Sequence, residues 1–399
     1  MVLSTVNCYN GKTLPKHNTM RKILITGGPV PARLDAVKVV TNRFRGGLMA
    51  QLASNLSKFE DCQVTYLTTK DAVQPQASES LSVLHHQGYH DYQRQVLNLA
   101  PSCSDVILGA AVANLVPVNP WSGKFPSHDY QEGDIVNIPF MVAPRIITQV
   151  KKVAPHVNLF GFKLLSNVPE AELIHAAYGV LLDSHAAAVI ANDASNLLVK
   201  KVVTRERAVH VFEEGAQLEA FLWQLMNDDF YKTQVQDARA SSLQGEELLH
   251  LATRIHAAKP GLFVKTPEGL VLGTVAQRHP LRGFWTTGRG KHELEDAVFV
   301  QKVDHAQRVV HSEKRKATLN APLLDQVFKK VPSAQTIVHG HVQDPELPTL
   351  KYAQPGTVRD SMREIRGSFN IENHGCFILL DEQGCRLDGS GAVLQERFL

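Results

Sequence analysis

The spacing of hydrophobic residues predicts alternating strands and helices along the first half of the chain. Short apolar runs rich in β-branched or aromatic residues predict strands at 21–29, 63–68, 105–113, 157–162 and 188–190. Apolar residues at helical spacing predict helices at 48–56, 144–153 and 168–182. Strands that alternate with helices indicate a mostly parallel sheet that is covered on both faces.

A polar stretch at 234–245 separates this region from a second apolar pattern. A helix with one apolar face is predicted just before it, at 215–231, and we place a domain boundary near residue 236. Beyond the boundary, the pattern predicts helices at 246–258 and 319–330, a hairpin of 262–265 and 270–274, and strands at 297–303, 337–338 and 376–380. We therefore expect a flexible tail at 1–19, a first domain at 20–235 and a second domain at 236–399.

Composition narrows the class of protein. A length of 399 residues suits two domains, and 44% hydrophobic with 20% charged residues indicates an ordered globular chain. The net charge of +3, without basic runs between aromatic residues, argues against a nucleic-acid partner. No apolar run is long enough to cross a membrane, and the first 19 residues lack the apolar region of a signal peptide. The odd number of cysteines, with no C-x-x-C pair, favours reduced thiols in a cytoplasmic protein.

Two histidines at the end of a predicted strand form a candidate metal site. His339 and His341 are two residues apart, so on a strand their side chains point to the same face. A pair of polar residues at a strand end is the alternative interpretation. His374, directly before the apolar run 376–380, would supply a third imidazole and leave an open position, as in catalytic zinc sites. Glu313 would be a nearby carboxylate, able to transfer a proton or to take a metal position.

The order of these motifs resembles that of the class II aldolase/adducin family. The motifs are His311-Ser-Glu313, a helix, His339-Gly-His341 and Asn373-His-Gly375, with the turns Trp285-Thr-Thr-Gly-Arg-Gly290 and Tyr352-Ala-Gln-Pro-Gly-Thr357 at the expected places. The resemblance implies a class II aldolase-like α/β domain that binds Zn²⁺ or another divalent metal through the three histidines. It also implies a lyase that forms an enediolate from a hydroxy-carbonyl substrate, with Glu313 moving the proton. Aldol cleavage, epimerisation and dehydration all remain open.

The first predicted strand ends in Gly27 and Gly28, and glycines at such a turn let backbone N–H groups approach a phosphate. A purely structural turn is the alternative. The residues that follow resemble the phosphopantothenate–cysteine ligase family, also called phosphopantothenoylcysteine synthetases. The matching stretches are Ile25-Thr-Gly-Gly28, Leu34-Asp35, Val40-Thr-Asn-Arg43, Gly109-Ala-Ala-Val-Ala113, Gly161-Phe162 and Ile190-Ala-Asn-Asp193.

This second resemblance implies a Rossmann-like domain that activates a carboxylate with CTP or ATP and Mg²⁺, after which the amine of cysteine attacks the acyl-nucleotide. By position, Asn42 matches the family's catalytic asparagine and Lys124 its mobile lysine. A helix cap or turn residue is the alternative for Asn42, and a surface loop lysine is the alternative for Lys124. The implied nucleotide contacts are Gly27, Gly28, Ala111, Asn114, Phe162, Asn192 and Asp193.

Together, the two resemblances predict an α/β protein, with a Rossmann-like, mostly parallel sheet domain followed by a class II aldolase-like domain. The predicted function is a two-domain metabolic enzyme that acts on small, anionic molecules. The alternative is a nucleotide-binding scaffold or sensor whose ligase-like half is not catalytic. Acids that the family has are missing from the first half, which leaves this alternative open. The gain of Arg145 and Lys163 also makes the pocket more basic, which suits an anion more than a nucleotide–metal complex.

Both families commonly build their active sites at subunit contacts, which implies a homo-oligomer, either a dimer or a tetramer. Light scattering at micromolar concentration would check this prediction. A mass near the 44.1 kDa of a single chain would contradict it.

Overall fold

The structure is a computed structural model that describes residues 20–237, 243–294 and 296–399 and the backbone of two short strands near the start. These strands are β1 (Cys8–Tyr9) and β2 (Lys12–Thr13), which pair antiparallel. The rest of the predicted tail at 1–19 lies outside the described residues. The chain forms two units, the first with residues 1–162 and 180–188 and the second with residues 163–179 and 189–399.

The first unit contains ten further strands and three helices among its described residues. The strands are β3 (Arg21–Thr26), β4 (Pro29–Val30), β5 (Ala32–Arg33), β6 (Val39–Val40), β7 (Cys62–Thr68), β8 (Leu81–His85), β9 (Asp105–Leu108), β10 (Ala111–Val112), β11 (Leu115–Pro117) and β12 (Phe140–Val142). The helices are α1 (Gly47–Leu56), α2 (Tyr89–Leu99) and α3 (Ile147–Val153). Three elements have residues in both units, namely β13 (Asn158–Leu165), α4 (Glu170–Ser184) and β14 (Ala188–Asp193).

A parallel sheet organises the first unit. β3 pairs with β7 and β9, β7 pairs with β8, and residues 158–161 of β13 pair with β9, all of them in parallel. The central strand β3 is apolar along its length because it is buried on both faces, with Ile23, Leu24 and Ile25 at most 1% exposed. The predicted parallel sheet is confirmed. Helix α2 was not predicted, because only Tyr89, Tyr92 and Val96 of its residues are buried.

The second unit contains fifteen strands and four helices that belong to it alone, again among the described residues. The strands are β15 (Asn196–Thr204), β16 (Val209–Phe212), β17 (Lys232–Gln236), β18 (Val264–Lys265), β19 (Val271–Leu272), β20 (Thr274–Arg278), β21 (Phe284–Thr287), β22 (Ala297–Asp304), β23 (Val309–Glu313), β24 (Thr336–Gly340), β25 (Thr349–Leu350), β26 (Phe369–Ile371), β27 (Gly375–Leu380), β28 (Cys385–Leu387) and β29 (Val393–Arg397). The helices are α5 (Gly215–Met226), α6 (Leu243–Ala258), α7 (Ala321–Lys330) and α8 (Val358–Ser361).

A large, mainly antiparallel sheet organises the second unit, with the strand order β17-β23-β22-β21-β20-β24-β27-β26-β25. Its two faces are covered by different helices. Apolar residues of α6, among them Leu248 and Ile255, pack with Val338 of β24 on one face. Apolar residues of α7, among them Leu324, pack with Ile337 of the same strand on the other face. The fold class is therefore α/β in both halves, with a parallel sheet followed by a mixed one.

Strand β17 occupies part of the stretch that the sequence predicted as a polar linker. It pairs in parallel with β23 at the edge of the second sheet, with Lys232 opposite Val309. Its side chains are mostly exposed, and an exposed edge strand lacks the apolar alternation by which strands are recognised. The predicted boundary near residue 236 falls at the end of this strand, and residues 238–242 of the linker lie outside the described part. In the part of the chain that is described, no helix is both long enough and apolar enough to cross a membrane.

Candidate functional site

Three histidines of the second unit come together where β24 ends and β27 begins. His339 lies in β24, His341 follows that strand and His374 directly precedes β27. Each can offer a ring nitrogen such that all three nitrogens lie within 4.8 Å of one another. The ring centroids are 4.6 Å to 5.1 Å apart. The pairing of β24 with β27, with Gly340 opposite Cys376, sets this arrangement.

A glycine allows the two strands to approach so closely beside the imidazoles. Gly375 has a φ of 119°, and a Cβ atom there would lie 1.9 Å from the carbonyl oxygen of Gly340. Only a residue without a side chain fits this backbone conformation and this contact. The glycine that follows His374 therefore serves the site by letting β27 begin against the end of β24.

We expect a Gly375→Ala variant to be destabilised by more than about 3 kcal/mol, because the substitution adds a steric clash to backbone strain. Gly384→Ala is a matched control, since Gly384 also has a positive φ of 78° but open space around its Cα. We expect it to cost about 1 kcal/mol, from strain alone. Urea unfolding of both variants measures the difference, and equal stability of the two would contradict the predicted clash.

The nitrogens of these histidines are buried and in part have no partner. The Nδ1–H of His339 donates to the carbonyl oxygen of Cys376 over 3.0 Å, which leaves the lone pair on Nε2. Within the described residues, Nε2 of His339 and both ring nitrogens of His374 have no hydrogen-bond partner. Burial lowers the pKa of His339 to about 4, and it lowers the pKa values of His341 and His374 well below 6.5. Neutral imidazoles with free lone pairs are the form that binds a metal ion, so these residues fit one.

Glu313 lies on the face of the second sheet opposite to these imidazoles. Ser312, the residue before it, pairs with Val300, which is buried on the face covered by α7. The ring of His339 is on that same face, where it stacks on Phe377 at 4.2 Å. Side chains alternate along a strand, so Glu313 points to the other face. There its Oε1 accepts a hydrogen bond of 2.7 Å from the side chain of Gln301.

Strand order also separates Glu313 from the histidines. β22, β21 and β20 lie between β23, which carries Glu313, and β24, which carries His339. The structure therefore does not bring Glu313 to the three imidazoles, which corrects the predicted grouping of these four side chains. The motifs occur in the expected order along the chain, but the side chain of Glu313 points to the face of the sheet opposite to the histidines.

Asn320 stands directly before α7, the helix that follows Glu313 in the aldolase-like motif order. It is 5% exposed, and its Oδ1 has no hydrogen-bond partner among the residues that the structure describes. The hydroxyl groups of Thr318 and Thr274 are 3.2 Å apart, and Thr274 is the cross-strand partner of His339. The chain entering α7 therefore passes beside the histidines and carries an uncharged amide.

Gln354 supplies a second buried amide near the start of α7. Neither its Oε1 nor its Nε2 has a partner in the described part of the chain, although the residue is only 1% exposed. The turn that follows it reaches Leu319, because a Cβ on Gly356 would lie 3.2 Å from the carbonyl oxygen of Leu319. Buried polar groups are nearly always hydrogen-bonded, so these unpartnered amides and the unpartnered nitrogens of His339 and His374 are candidates to bind a polar ligand.

In the first unit, the glycine turn after β3 lies against the start of α1. A Cβ on Gly46, the residue before α1, would lie 2.2 Å from the backbone nitrogen of Gly28. Gly28 itself has a φ of 76°, and its carbonyl oxygen accepts the N–H of Ala111 over 2.9 Å. The turn therefore connects the start of α1 to β10, and the backbones can approach this closely because Gly28 and Gly46 have no side chains.

Asn42 joins the same group of residues. Its Nδ2 donates to the carbonyl oxygens of Ala111 at 3.2 Å and of Val112 at 3.0 Å. The structure thus brings together Gly28, Asn42 and Ala111, which the sequence had placed in one site. The side-chain amide of Asn42 is therefore oriented by its nitrogen.

Lys124 lies in an exposed loop that Asp35 ties to the first unit. The Oδ2 of Asp35 accepts the N–H of Phe125 at 3.0 Å, and its Oδ1 accepts the N–H groups of Val37 and Lys38 at 2.6 Å and 2.5 Å. Burial would raise the pKa of Asp35, but these donors hold it below its usual range. The buried Asp35 therefore orders the segment next to Lys124, while the ammonium group of Lys124 stays in solvent.

Comparison with known protein families identifies the family of the first half of the chain. The DFP family, described as the DNA/pantothenate metabolism flavoprotein C-terminal domain, matches residues 19–226. The chain belongs to the DFP family. The coenzyme A biosynthesis bifunctional protein CoaBC of Thermococcus kodakarensis (strain ATCC BAA-918 / JCM 12380 / KOD1) is 26% identical over 181 residues, which are 45% of this chain. The chain spans 43% of the length of that relative.

Solved structures are also similar to parts of this DFP-family chain. A DNA/pantothenate metabolism flavoprotein from Streptococcus pneumoniae has a TM-score of 0.45 and 21% identity over 51% of this chain and 97% of that one. An L-fuculose 1-phosphate aldolase from Glaciozyma antarctica PI12 has a TM-score of 0.24 and 15% identity over 36% of this chain and 69% of that one.

The remaining residues predicted to bind a nucleotide are placed as follows. In the first unit, Asn114 is exposed and Phe162 is half-buried on β13. In the second unit, Asn192 and Asp193 end β14. The Oδ1 of Asp193 accepts the hydroxyl and the N–H of Ser195 at 2.6 Å and 2.8 Å. These bonds lower the pKa of Asp193 to about 2.

Asp193 therefore caps the turn after β14 in this DFP-family domain, and its contact with a nucleotide stays a prediction. Arg145, which was expected to make the pocket of the first half more basic, is exposed and forms an ion pair of 3.6 Å with Asp183. Its charge is therefore balanced within the first unit by this neighbouring acid.

Three buried polar residues of the second site were missed from the sequence, namely Asn320, Gln354 and Lys291. Asn320 lies inside the helix predicted at 319–330, and none of the motifs used in the sequence analysis includes it. Gln354 lies inside a motif that had been quoted for its turn. Lys291 follows the glycine turn after β21, and nothing in its local sequence indicates that it is buried.

Proposed function

We propose that this chain is an enzyme whose first half is a nucleotide-dependent ligase that joins a carboxylic acid to the amine of cysteine. The observation that carries the proposal is the match of the DFP family to residues 19–226, the region in which Asn42 and the glycine turn meet. A relative named for coenzyme A biosynthesis supports phosphopantothenate as the acid. CTP or ATP with Mg²⁺ would be the co-substrate.

The proposed reaction has two steps. The substrate carboxylate attacks the α-phosphorus of the nucleotide and pyrophosphate leaves, which gives an acyl-nucleotide. The amine of cysteine then attacks the acyl carbon, the nucleoside monophosphate leaves and the amine loses its proton. The backbone N–H of Gly28 would bind a phosphate oxygen, whereas that of Gly27 already donates to the carbonyl oxygen of Leu67 over 3.1 Å. Lys124 would balance the triphosphate charge from its exposed loop. Asn42 would orient the acyl group through its Oδ1.

Pyrophosphate release tests this proposal. Purified protein is mixed with Mg²⁺, 4′-phosphopantothenate, cysteine and each of the four ribonucleoside triphosphates in turn. We expect release that requires the acid and either CTP or ATP, together with an amide product seen by mass spectrometry. Nucleotide binding without any release would instead favour a sensor or scaffold.

We also propose that the second half is a metal-dependent lyase. The observation that favours it is that His339, His341 and His374 can bring three ring nitrogens within 4.8 Å of one another, with Nε2 of His339 and both nitrogens of His374 buried and unpartnered among the described residues, a set that fits Zn²⁺ or another divalent metal. A metal bound there would act as a Lewis acid on the oxygens of a hydroxy-carbonyl substrate. The amides of Asn320 and Gln354 would hold substrate hydroxyl or carbonyl groups. Glu313 is not placed to move the proton in this site.

A further inference from the structure

Lys291 is a buried cation whose hydrogen-bond partners among the described residues are carbonyl groups. It is 7% exposed, and its Nζ donates to the carbonyl oxygen of Gly273 at 2.5 Å and to that of Gly288 at 3.5 Å. Within residues 20–237, 243–294 and 296–399, no carboxylate forms an ion pair with it. Burial, followed by the charge of Arg315, lowers the pKa of its ammonium group to about 8. Burying an ammonium group without a neighbouring negative charge costs free energy of folding, so a functional role would explain why Lys291 is buried.

The position of Lys291 ties it to the three-histidine site. Gly273, which accepts its hydrogen bond, directly precedes Thr274, and Thr274 is the cross-strand partner of His339. A Cβ on Gly273 would lie 3.0 Å from the carbonyl oxygen of His339. Burial lowers the pKa values of His339 and His341, and the ammonium group of Lys291 lowers both further. The cation therefore lies beside two of the three imidazoles.

Among the residues that the structure describes, the charges around this site do not balance. The three imidazoles are neutral, and Glu313 is on the other face of the sheet. A divalent metal on the histidines would add two positive charges next to that of Lys291. Like charges repel strongly in a buried environment, so this site favours a ligand that brings negative charge.

The other buried acids of the second unit already have partners. Asp360 pairs with Arg363 at 3.0 Å, and Asp228 pairs with Arg359 at 3.1 Å. Glu206 accepts a hydrogen bond from the hydroxyl group of Tyr352. None of these three carboxylates forms an ion pair with Lys291, so among the described residues no acid balances its charge.

We propose that Lys291 binds the anionic end of the substrate at the three-histidine site, and that this substrate is a hydroxy-carbonyl compound with a carboxylate or phosphate group next to its chelating oxygens. The inference rests on the proposed metal site. It goes beyond that site by naming the substrate class and the residue that selects it. A lysine suits this role because an ammonium group is a compact point charge for either anion.

Matched pairs of probes test the proposal in protein loaded with Zn²⁺. Hydroxypyruvate is compared with hydroxyacetone, which has a methyl group in place of the carboxylate. Dihydroxyacetone phosphate is compared with dihydroxyacetone. Calorimetry measures binding of each probe to the wild type, to Lys291→Met and to Lys291→Gln. The two pairs show separately whether the site prefers a carboxylate or a phosphate.

We expect the wild type to bind at least one anionic probe more tightly than its neutral partner. Each Lys291 variant should bind that anion about 10- to 100-fold more weakly, with the affinity for the neutral probe unchanged. Lys265→Met is the matched control, because Lys265 is an exposed lysine of β18 and its loss changes the net charge equally. Its affinities should equal those of the wild type. Anion binding that is unchanged in both Lys291 variants would overturn the proposal.

Thermal unfolding and metal content separate this role from a structural one. If Lys291 only held the carbonyl groups of Gly273 and Gly288, Lys291→Met would lower Tm and leave the preference for anions intact, and that result would overturn the proposal. We expect Tm to stay equal or to rise, because a buried charge is removed. A wild type that holds no metal would refute the proposed lyase, whereas a metal-loaded protein that binds no anionic probe would refute only the role of Lys291.

Discussion

A His339→Ala/His341→Ala double variant is expected to lose the metal that the wild type binds in a one-to-one ratio. Two of three neutral nitrogen ligands would be removed, and His374 alone holds a divalent ion poorly. Affinity should fall by far more than the ~100-fold that the loss of a single supporting contact costs. Elemental analysis of protein purified without chelator, together with a Zn²⁺ titration, measures the loss.

A matched control tests whether the loss of metal is specific to these two histidines. His250→Ala/His256→Ala also removes two histidines, but these are exposed on α6. We expect the control to keep the full metal content and, like the double variant, to remain folded by circular dichroism. Wild-type protein without metal would contradict the proposed site, and so would a double variant that retains as much metal as the control.

An Asn42→Ala variant is expected to lose amide formation about 100- to 1,000-fold in kcat, with a much smaller change in nucleotide affinity. The amide of Asn42 is oriented by the carbonyl oxygens of Ala111 and Val112, and alanine removes both those bonds and the Oδ1 that would face the acyl group. Asn42→Asp should be impaired as well, because a carboxylate oxygen would then face two carbonyl oxygens and be repelled.

Pyrophosphate release and calorimetry with CTP or ATP separate catalysis from binding in these variants. Asn119→Ala is a suitable control, since Asn119 is an exposed asparagine of the same unit. It should have wild-type kcat and Kd. An Asn42→Ala enzyme with wild-type kcat would show that this residue has only a structural role in the turn.

Glu313 shows why motif order alone did not give the composition of the site. The sequence placed an acid, a helix and two histidines in the right order, and Thr318, just before the helix, contacts Thr274, the cross-strand partner of His339. A shift of one position along a strand, however, turns a side chain to the opposite face of the sheet. At β23 the buried Ser312 points to the histidine face, and Glu313 therefore points away.

Strand β17 and Lys291 show two further effects that local sequence does not contain. A polar stretch such as that of β17 is predicted to be a linker even where it pairs at the edge of a sheet. The pairing uses backbone groups that every residue has, so the side chains do not indicate it. A lysine is predicted to lie at the surface from its sequence alone. Lys291 is instead buried by the fold, where its Nζ donates to the carbonyl oxygens of Gly273 and Gly288.

The sequence by itself determined the parallel sheet of the first half, most helices and the identity of the three histidines. Hydrophobic periodicity and residue order carry this information, since both are local properties of the chain. Only the tertiary structure decided which polar side chains join those histidines. Asn320, Gln354 and Lys291 are buried there by strands and turns far away in sequence, whereas Glu313 is turned outward by strand register. Whether a side chain is buried, and to which face of the sheet it points, depends on pairing between distant segments, so no local pattern could reveal either property.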